Sequence, residues 1–383
     1  MKDTFRILIA GDLCPSGTNI PLFEQGDVGQ LFGKEICRLF SDADFSIINL
    51  EGALTDSNEK QEKAGPVIKA PKACVNGLKE LGVSAVALAN NHITDYGNKG
   101  YEDTIDALES RGLQYVGAGR RQKDVKSYIQ IDFGTKRVCI YNVSDKFFNV
   151  PGEDRSGANV YDEYTVCNEI KRLRSQCDYL IVIYHGGAEY FQYPTDMVRK
   201  RCHRMAESGA DFITAQHTHC IGCEEIFGKS YILYGQGNFL FSRQKSFVNL
   251  SKDGLLLELC FMNSGVKIVK HHVVISGDII RYDACWNDEE FRSRSRCVED
   301  SDMIMQKFRE FKANEIMDKF LLAAQGTSII SRIGLKFFPG PYKKYLSKKY
   351  TRKQILMNIC VIGQDRRNED MLAVWEYLLE KTK

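Results

Sequence analysis

Five short, almost continuously apolar segments alternate with amphipathic helical segments over the first two-thirds of the chain. The apolar segments are residues 5–10, 45–50, 84–89, 179–184 and 212–215. Strands that are apolar throughout are typical of a sheet that is covered on both faces. Between them, apolar residues recur at helical spacing, and Gly82, Gly112 and Gly209 follow three of these helical segments as end signals. This alternation predicts an α/β fold.

Two further stretches are predicted to form antiparallel β-structure. Residues 127–144 alternate in polarity around a Gly134-Thr135-Lys136 turn, which indicates a hairpin, and residues 224–283 contain a series of β-segments divided by glycine turns. We therefore expect mixed β-structure, with parallel strands early and antiparallel strands late.

The carboxy-terminal part has a different composition. Helical segments follow residue 285, so we expect a domain of residues 1–285 and a helical, basic extension of residues 286–383. Residues 319–362 contain nine Lys or Arg and no acid, which leaves 52 − 9 = 43 basic against 50 acidic residues elsewhere. This basic stretch is expected to attract anions, either membrane lipids or an acidic polymer. A solvated helix face is the alternative.

Composition limits the location and the partners. The net charge of +2 does not point to a nucleic-acid partner. Residues 1–10 leave no room for the apolar core of a signal peptide, and the apolar runs are far shorter than the ~20 residues of a membrane span. The thirteen cysteines have no framework spacing, as in reducing compartments. We expect a cytoplasmic protein, with peripheral association at the inner face of the membrane.

Polar side chains with metal-binding capacity follow the five predicted strands. They are Asp12, Glu51, Asn91, His185, and the pair His217 and His219. One such residue alone is usually a turn former or a hydrogen-bonded core group. Five strands that end in this way at one edge of a sheet predict a metal site. Carboxylate, amide and imidazole ligands suit Mn, Fe or Zn, and six of them suit two metal ions that share a carboxylate.

The remaining histidines and a cysteine pair are interpreted differently. His203 lies inside a predicted helix, and His271 and His272 lie on an alternating strand, so we expect none of them to bind metal. Cys220 and Cys223 directly follow His219 but have no second pair at zinc-binding spacing. They are expected in a turn that flanks the site, and oxidation of the pair is the alternative.

Six spaced motifs, in order, carry a family resemblance over roughly residues 5–245. They are Gly11-Asp12, Asn49-Leu50-Glu51, Ala89-Asn90-Asn91-His92 with Asp95-Tyr96-Gly97, His185-Gly186-Gly187 with Glu189-Tyr190, His217-Thr218-His219, and Gly235-Gln236-Gly237-Asn238-Phe239. They resemble the CapA family, named for poly-γ-glutamate capsule synthesis, in the calcineurin-like metallophosphoesterase superfamily. The resemblance implies a four-layered α/β/β/α metallophosphatase-like sandwich.

The resemblance also implies roles for individual residues of these motifs. Asp12, Glu51 and His219 would hold one metal, and Glu51, Asn91, His185 and His217 the other, with Glu51 bridging. His92 takes the place of the catalytic histidine of calcineurin-like phosphoesterases. The implied hydrogen-bonding partners of the ligands or contacts of the substrate are Glu189, Asp95 and Asn238.

Two departures from the superfamily pattern bear on the metals and the chemistry. The first motif is Asp12-Leu13-Cys14 where phosphoesterases have Asp-x-His, so the first metal is expected to be weakly held or absent. Cys14 is interpreted as a small buried residue, with soft ligation as the alternative. Glu51 replaces an aspartate, as in the CapA branch, which argues against assuming phosphodiester chemistry.

Two functions are consistent with these residues. The first is a binuclear hydrolase in capsule or exopolymer (poly-γ-glutamate or polysaccharide) synthesis or processing, in which a metal-bound hydroxide attacks an anionic polymer or a small anionic substrate and His92 donates a proton. The bond could be a phosphoester, an amide or a glycosidic link. The second is a non-catalytic assembly component that binds the polymer through the metals. A positioned proton donor favours the enzyme.

Overall fold

The strands of the protein form two large sheets and two short ladders. The strands are β1 Thr4–Cys14, β2 Phe45–Leu50, β3 Ala53–Leu54, β4 Lys69–Ala70, β5 Ala85–Ala87, β6 Gln114–Val116, β7 Ala118–Gly119, β8 Tyr128–Phe133, β9 Lys136–Ser144, β10 Gly157–Ala158, β11 Tyr179–His185, β12 Phe212–Gln216, β13 Ile221–Phe227, β14 Ser230–Gln236, β15 Asn238–Phe241, β16 Asp253–Met262, β17 Gly265–Ser276 and β18 Ile279–Tyr282. The computed structural model describes residues 4–61, 63, 66–147, 149–241, 251–325 and 377, and side chains in the last helix as far as residue 313.

The larger sheet has eight strands and the smaller has six. The larger follows the order β18-β17-β16-β1-β2-β5-β6, and β15 pairs with the end of β1. Its strands β1, β2, β5 and β6 are parallel, and β16 to β18 are antiparallel. The smaller follows the order β13-β14-β12-β11-β9-β8, with β9, β11, β12 and β14 parallel. The predicted hairpin is present as β8 and β9.

The helices in the described part of the chain are α1 Ile20–Gln25, α2 Val28–Asp42, α3 Val75–Leu81, α4 Gly97–Ser110, α5 Glu163–Arg174, α6 Asp196–Glu207, α7 Glu289–Arg296 and α8 Ser301–Gln325, with short 3-10 turns at Gly17–Asn19, Lys72–Cys74 and Gln122–Asp124. Helices α1 to α4 cover the outer face of the larger sheet, and α5 and α6 cover that of the smaller sheet. The local signals explain their bounds. The Thr195 side chain accepts a hydrogen bond from Val198 N and begins α6, and Gly82, with φ 86°, ends α3.

The alternation of side chains along each strand produces four layers. Leu8 and Ile48 pack under the helices α1 to α4, whereas their neighbours Ile7 and Ile47 pack against the second sheet. On the opposite face of that second sheet, Val182 packs against α5 and α6. The structure is therefore an α/β/β/α sandwich, which confirms the predicted architecture.

The expectation of a single sheet edge is wrong. β1, β2 and β5 belong to the larger sheet, whereas β11 and β12 belong to the smaller. A near-continuous apolar strand fits either a single sheet between helix layers or two sheets packed face to face, because both bury the strand on two sides. The sequence pattern alone does not distinguish them. The correction does not affect the candidate site, because the two sheets bring the carboxyl ends of these strands together.

The chain divides into two units, Met1–Val298 and Glu299–Lys383. The division lies thirteen residues after the predicted boundary at 285/286, because α7 packs against β13 and Phe291 is buried in the core between the sheets. Most of the basic stretch 319–362, and every side chain in it, lies outside the described residues. Among the helices that the structure describes, none is long and apolar enough to cross a membrane.

Candidate metal centre

Asp12 lies at a bulge near the end of β1, where the strand leaves β16 and pairs with β15. The carboxylate is fully buried; Oδ1 accepts a hydrogen bond from Asn49 Nδ2 (2.7 Å) and Oδ2 accepts one from the backbone N of His217 (3.1 Å). Gly11 allows the close approach of β15, since a Cβ atom there would lie 2.2 Å from Gly237 O. The aspartate of the first predicted motif is thus held between the two sheets.

Glu51 directly follows β2 and is completely buried, yet neither of its carboxylate oxygens has a hydrogen-bond partner in the part of the chain that the structure describes. Its Oε1 lies 3.8 Å from Nε2 of His92 and of His185, and 3.9 Å from Nε2 of His219. Burial raises the pKa of this carboxyl well above its usual range. A buried acid among three imidazole nitrogens, none within hydrogen-bonding distance, leaves space for a cation between them.

His185 ends β11 and meets the residues that follow β5. Its Nδ1 accepts a hydrogen bond from Asn49 Nδ2 (3.2 Å), and its Nε2 lies 2.9 Å from Asn91 Oδ1. Burial, followed by the neighbouring His217, lowers the pKa of His185 well below its ordinary value. A neutral imidazole beside an amide oxygen is a suitable pair of ligands for one divalent ion.

The loop after β12 carries the other two histidines in an unusual backbone conformation. His217 has φ 86° and His219 has φ 54°, and Tyr190, whose N donates to Thr218 O (2.7 Å), has φ 63°. Residues other than glycine adopt this region at a cost of about 1–3 kcal/mol each, and they cluster at functional sites. The hydrogen bonds that this loop makes, to Asp12 from one side and through Thr218 from the other, hold it in this conformation. Both histidine rings are thereby turned toward Glu51.

Asp12 and His219 form a buried pair of opposite charge. Burial would raise the pKa of Asp12, but His219 and His185 outweigh it and lower that pKa to about 2. Burial would lower the pKa of His219, but Glu51 and Asp12 raise it to about 10. A bound metal ion would take the place of the His219 proton, so binding would release protons.

The six predicted ligands are brought together. Three groups have ligand atoms that all lie within 4.8 Å of one another: Asp12, Glu51 and His219; Glu51, His185 and His217; and Glu189, His217 and His219. Glu51 belongs to the first two, and Asn91 adjoins the second through His185. Among the described residues, the Glu51 oxygens and the buried His217 Nδ1 have no hydrogen-bond partner, and a cation would satisfy them. The buried cluster is compatible with metal binding.

His92 faces this cluster from the loop after β5. Its Nδ1 lies 2.6 Å from Asp95 Oδ2, and its Nε2 points to Glu51 Oε1. Asp95 is fully buried and also accepts a hydrogen bond from Ile68 N (2.7 Å). Burial lowers the pKa of His92, although the hydrogen bond with Asp95 acts in the opposite direction. Asp95 therefore contacts His92 rather than a candidate ligand.

The other two predicted contact residues lie beside His219. Asn238 Oδ1 is 2.9 Å from His219 Nδ1, and Asn238 Nδ2 donates to Ser251 O (3.0 Å). Glu189 is partly exposed and close to His217 and His219. Asn238 thus orients a candidate ligand, whereas Glu189 lies on the accessible side of the cluster.

Two residues of the site had no role predicted from the sequence, although Asn49 belongs to the second motif. Asn49 donates to both Asp12 and His185, and its place two residues before Glu51, on the same side of β2, was the signal that could have found it. Lys63 contacts Asp95 and has a side chain that is only 4% exposed. It lies in an aperiodic segment, so no pattern in the chain marks it.

The histidines expected outside the site are paired elsewhere. His203 Nε2 lies 3.0 Å from Glu225 and its ring stacks on Phe227, and His271 Nε2 lies 2.9 Å from Glu258. His272 lies between two carboxylates, with Nε2 3.2 Å from Asp253 Oδ2 and Nδ1 2.9 Å from Asp283 Oδ2.

The cysteines near the site are buried thiols. Cys14, at the end of β1, belongs to none of the three groups of candidate ligands among the described residues. Burial raises the pKa of Cys220 and of Cys223 to about 12, so both side chains are thiols near neutral pH. Cys220 directly precedes β13 and Cys223 lies within this strand rather than in the expected turn, and both are free cysteines in the described structure.

The α/β/β/α sandwich with a histidine- and carboxylate-lined cluster at its strand ends defines a metallophosphatase-like protein. The chain belongs to the family described as bacterial capsule synthesis protein PGA_cap, whose model matches residues 6–243. This match confirms the membership that the six motifs predicted.

Individual relatives agree with the family. The chain is 29% identical over 224 residues to the capsule biosynthesis protein CapA of Bacillus anthracis, covering 56% of this chain and 54% of that protein. It is 29% identical over 250 residues to the PGA biosynthesis protein CapA of Bacillus subtilis, covering 63% and 64%. The chain therefore spans between half and two-thirds of these relatives.

Solved structures that are similar to this chain include a novel phosphatase from Mycoplasma pneumoniae. It has 15% identity and a TM-score of 0.44, and the superposition covers 72% of this chain and 96% of that chain.

Proposed function

We propose that this protein is a binuclear metal-dependent hydrolase that acts in the synthesis or processing of a bacterial capsule or exopolymer. The observation that carries the proposal is the state of Glu51, a fully buried carboxylate that has no hydrogen-bond partner among the described residues and faces three imidazole Nε2 atoms at 3.8–3.9 Å. An uncompensated buried charge costs several kcal/mol. Two cations that share this carboxylate would offset that cost.

The ligands divide into two sets around Glu51. Asp12 and His219 would complete the first set; Asn91, His185 and His217 would complete the second. Because Asp12-Leu13-Cys14 lacks the histidine of other phosphoesterases, we propose that the first ion, which has fewer ligands, is bound more weakly. The donor types favour Mn, Fe or Zn. When bound, the ions would polarise the bond to be cleaved and lower the pKa of a water molecule.

The side chains around the ligands would orient and transfer protons. With its hydrogen on Nδ1 directed to Asp95, His92 keeps Nε2 free on the side of Glu51, where Nε2 would take up a proton from the attacking water and pass it to the leaving group. Asn238 accepts the Nδ1 hydrogen of His219 and so directs Nε2 of that ring toward the metals. Glu189, on the accessible side, would contact the substrate.

The family and its relatives support the substrate class. The matched relatives carry out capsule or PGA biosynthesis according to their names, and we propose an anionic polymer, poly-γ-glutamate or a polysaccharide, or a small anionic precursor. The scissile bond is a phosphoester, an amide or a glycosidic link. The competing proposal is a non-catalytic assembly component that binds the polymer through the same metals.

A substrate panel tests the proposal. Protein loaded with Mn, Fe or Zn is incubated with phosphoesters, γ-glutamyl peptides and oligosaccharides. We expect hydrolysis of one class, lost on chelation and restored by adding the metal back. Absence of hydrolysis, together with metal-dependent retention of the polymer, would support the assembly component instead.

A further inference from the structure

A buried lysine lies behind His92, on the side away from Glu51. Lys63 Nζ forms an ion pair with Asp95 Oδ1, lies 3.3 Å from Asn91 O and lies 3.2 Å from His92 Nδ1. The Lys63 side chain is 4% exposed and that of Asp95 is fully buried. The lysine thus contacts three residues of the loop that carries the proposed proton donor.

The distances decide which hydrogen bonds form. His92 Nδ1 can carry one hydrogen, and Asp95 Oδ2 at 2.6 Å is a closer partner than Lys63 Nζ at 3.2 Å. Lys63 therefore donates to Asp95 Oδ1 and Asn91 O, while His92 and Ile68 N donate to Asp95 Oδ2. Both carboxylate oxygens are engaged, so the Asp95 side chain is fixed in its orientation.

We propose that Lys63 is a positioning residue for His92. It fixes the Asp95 carboxylate, which keeps the His92 hydrogen on Nδ1 and presents the bare Nε2 to the metal centre. The tautomer of a histidine is set by the hydrogen bond that its other nitrogen makes. This inference rests on the proposed function, since the orientation of Nε2 matters for catalysis only if His92 transfers a proton.

The direct readout is the His92 tautomer, measured by NMR on the full-length chain with ¹⁵N-labelled histidine. The seven histidines permit assignment by the signal that disappears in His92→Gln. Zinc-loaded and metal-free samples are compared at one pH. We expect wild type to show the Nδ1-protonated form alone and Lys63→Met to show both tautomers. An unchanged tautomer in a folded Lys63→Met variant would overturn the proposal.

Lys69→Met is the matched control. Lys69 lies on the same segment and donates to Ser57 O and to Asn58 Oδ1 (3.3 Å), with Nζ above the Tyr96 ring. We expect this variant to keep the wild-type tautomer. In a metal-loaded assay on the substrate found by the panel, kcat should fall about 10- to 100-fold in Lys63→Met, with an unchanged metal content.

Removing both buried charges provides the second test, should Lys63→Met alone not fold. In an Asp95→Asn background, Lys63→Met should leave the His92 tautomer ratio unchanged, because Lys63 acts through the Asp95 carboxylate. A further change of the same size as in wild type would contradict that route. Because the tautomer is read without metal or substrate, its failure is distinguishable from absent metal binding or absent hydrolysis, which would contradict only the proposed function.

Discussion

Asn238 Oδ1 lies 2.9 Å from His219 Nδ1, so the first residue of β15 orients a candidate ligand in the loop after β12. The parallel pairing of Asn238 with Asp12 brings this contact next to the first predicted ligand. One short strand therefore connects the end of β1 in the larger sheet with the histidine loop of the smaller sheet.

Asn238→Ala should weaken metal binding. Loss of the acceptor at His219 Nδ1 frees the ring, and comparable outer partners of metal ligands are worth about 10- to 100-fold in affinity. A chelator competition titration measures the change. Asn76→Ala is the control, since Asn76 donates to Glu24 O near α1, away from the candidate ligands. Equal affinities in the two variants would contradict the role of Asn238.

His92→Ala should keep its metals and its fold but lose turnover. General acid catalysis typically contributes about 10²–10⁴-fold, so the loss should be large for substrates with basic leaving groups and small for an activated nitrophenolate. The test measures the rates on both kinds of substrate and the metal content of the variant. His271→Ala is the control. An unchanged rate on a poor leaving group would remove the catalytic role of His92.

Asp103 should make folding sensitive to acid. Burial would raise its pKa, but hydrogen bonds from Lys72, Lys99 and Thr55 lower that pKa from 3.8 to about 2. A depressed carboxyl pKa stabilises the fold above the unfolded value, and the contribution is lost as the pH falls from about 4 toward 2. Asp103→Asn should therefore lower the free energy of unfolding by about 2 kcal/mol at pH 7.

Urea denaturation at pH 7 and near pH 2.5 measures the Asp103 effect. The difference between wild type and Asp103→Asn should shrink at the lower pH. Asp106→Asn, at an exposed position on the same helix, should have little effect at either pH. A difference for Asp103→Asn that does not change with pH would refute the charge explanation.

The basic stretch 319–362 should bind anionic surfaces at low salt. We expect co-sedimentation with anionic vesicles, because each Lys or Arg near such a surface contributes about 1 kcal/mol, and release at high salt. Vesicles of neutral lipid are the control. Equal binding to neutral vesicles would exclude the electrostatic account, and preferential binding of a soluble acidic polymer would favour a capsule polymer as the partner.

Much of the fold followed from local patterns. The strands that contain Ile47, Val182 and Ile213 were predicted from their apolar runs, and α3 and α6 from periodicity with Gly82 and Gly209 as end signals. The division into two sheets followed only from the family resemblance and not from these local patterns, because it depends on which strands pair across long separations in the chain. The sequence of an apolar strand does not indicate which strands it pairs with.

The candidate site, like the fold, was predicted only in part. Asp12, Glu51 and His185 were found because they follow predicted strands, and position in the chain sufficed. Lys63 was not found, because it reaches Asp95 from an aperiodic segment through tertiary contacts alone. The positive φ angle of His217 also escaped prediction, since its backbone conformation is imposed by contacts with Asp12 rather than by the local sequence.

The metal content of the purified chain tests the central claim most directly. Elemental analysis after loading should find two transition-metal ions per wild-type chain, and His217→Ala should lose most of the metal because an imidazole of the second set is gone. His203→Ala, which removes the histidine that pairs with Glu225, should keep both. Loss of metal from His203→Ala with retention in His217→Ala would contradict the account.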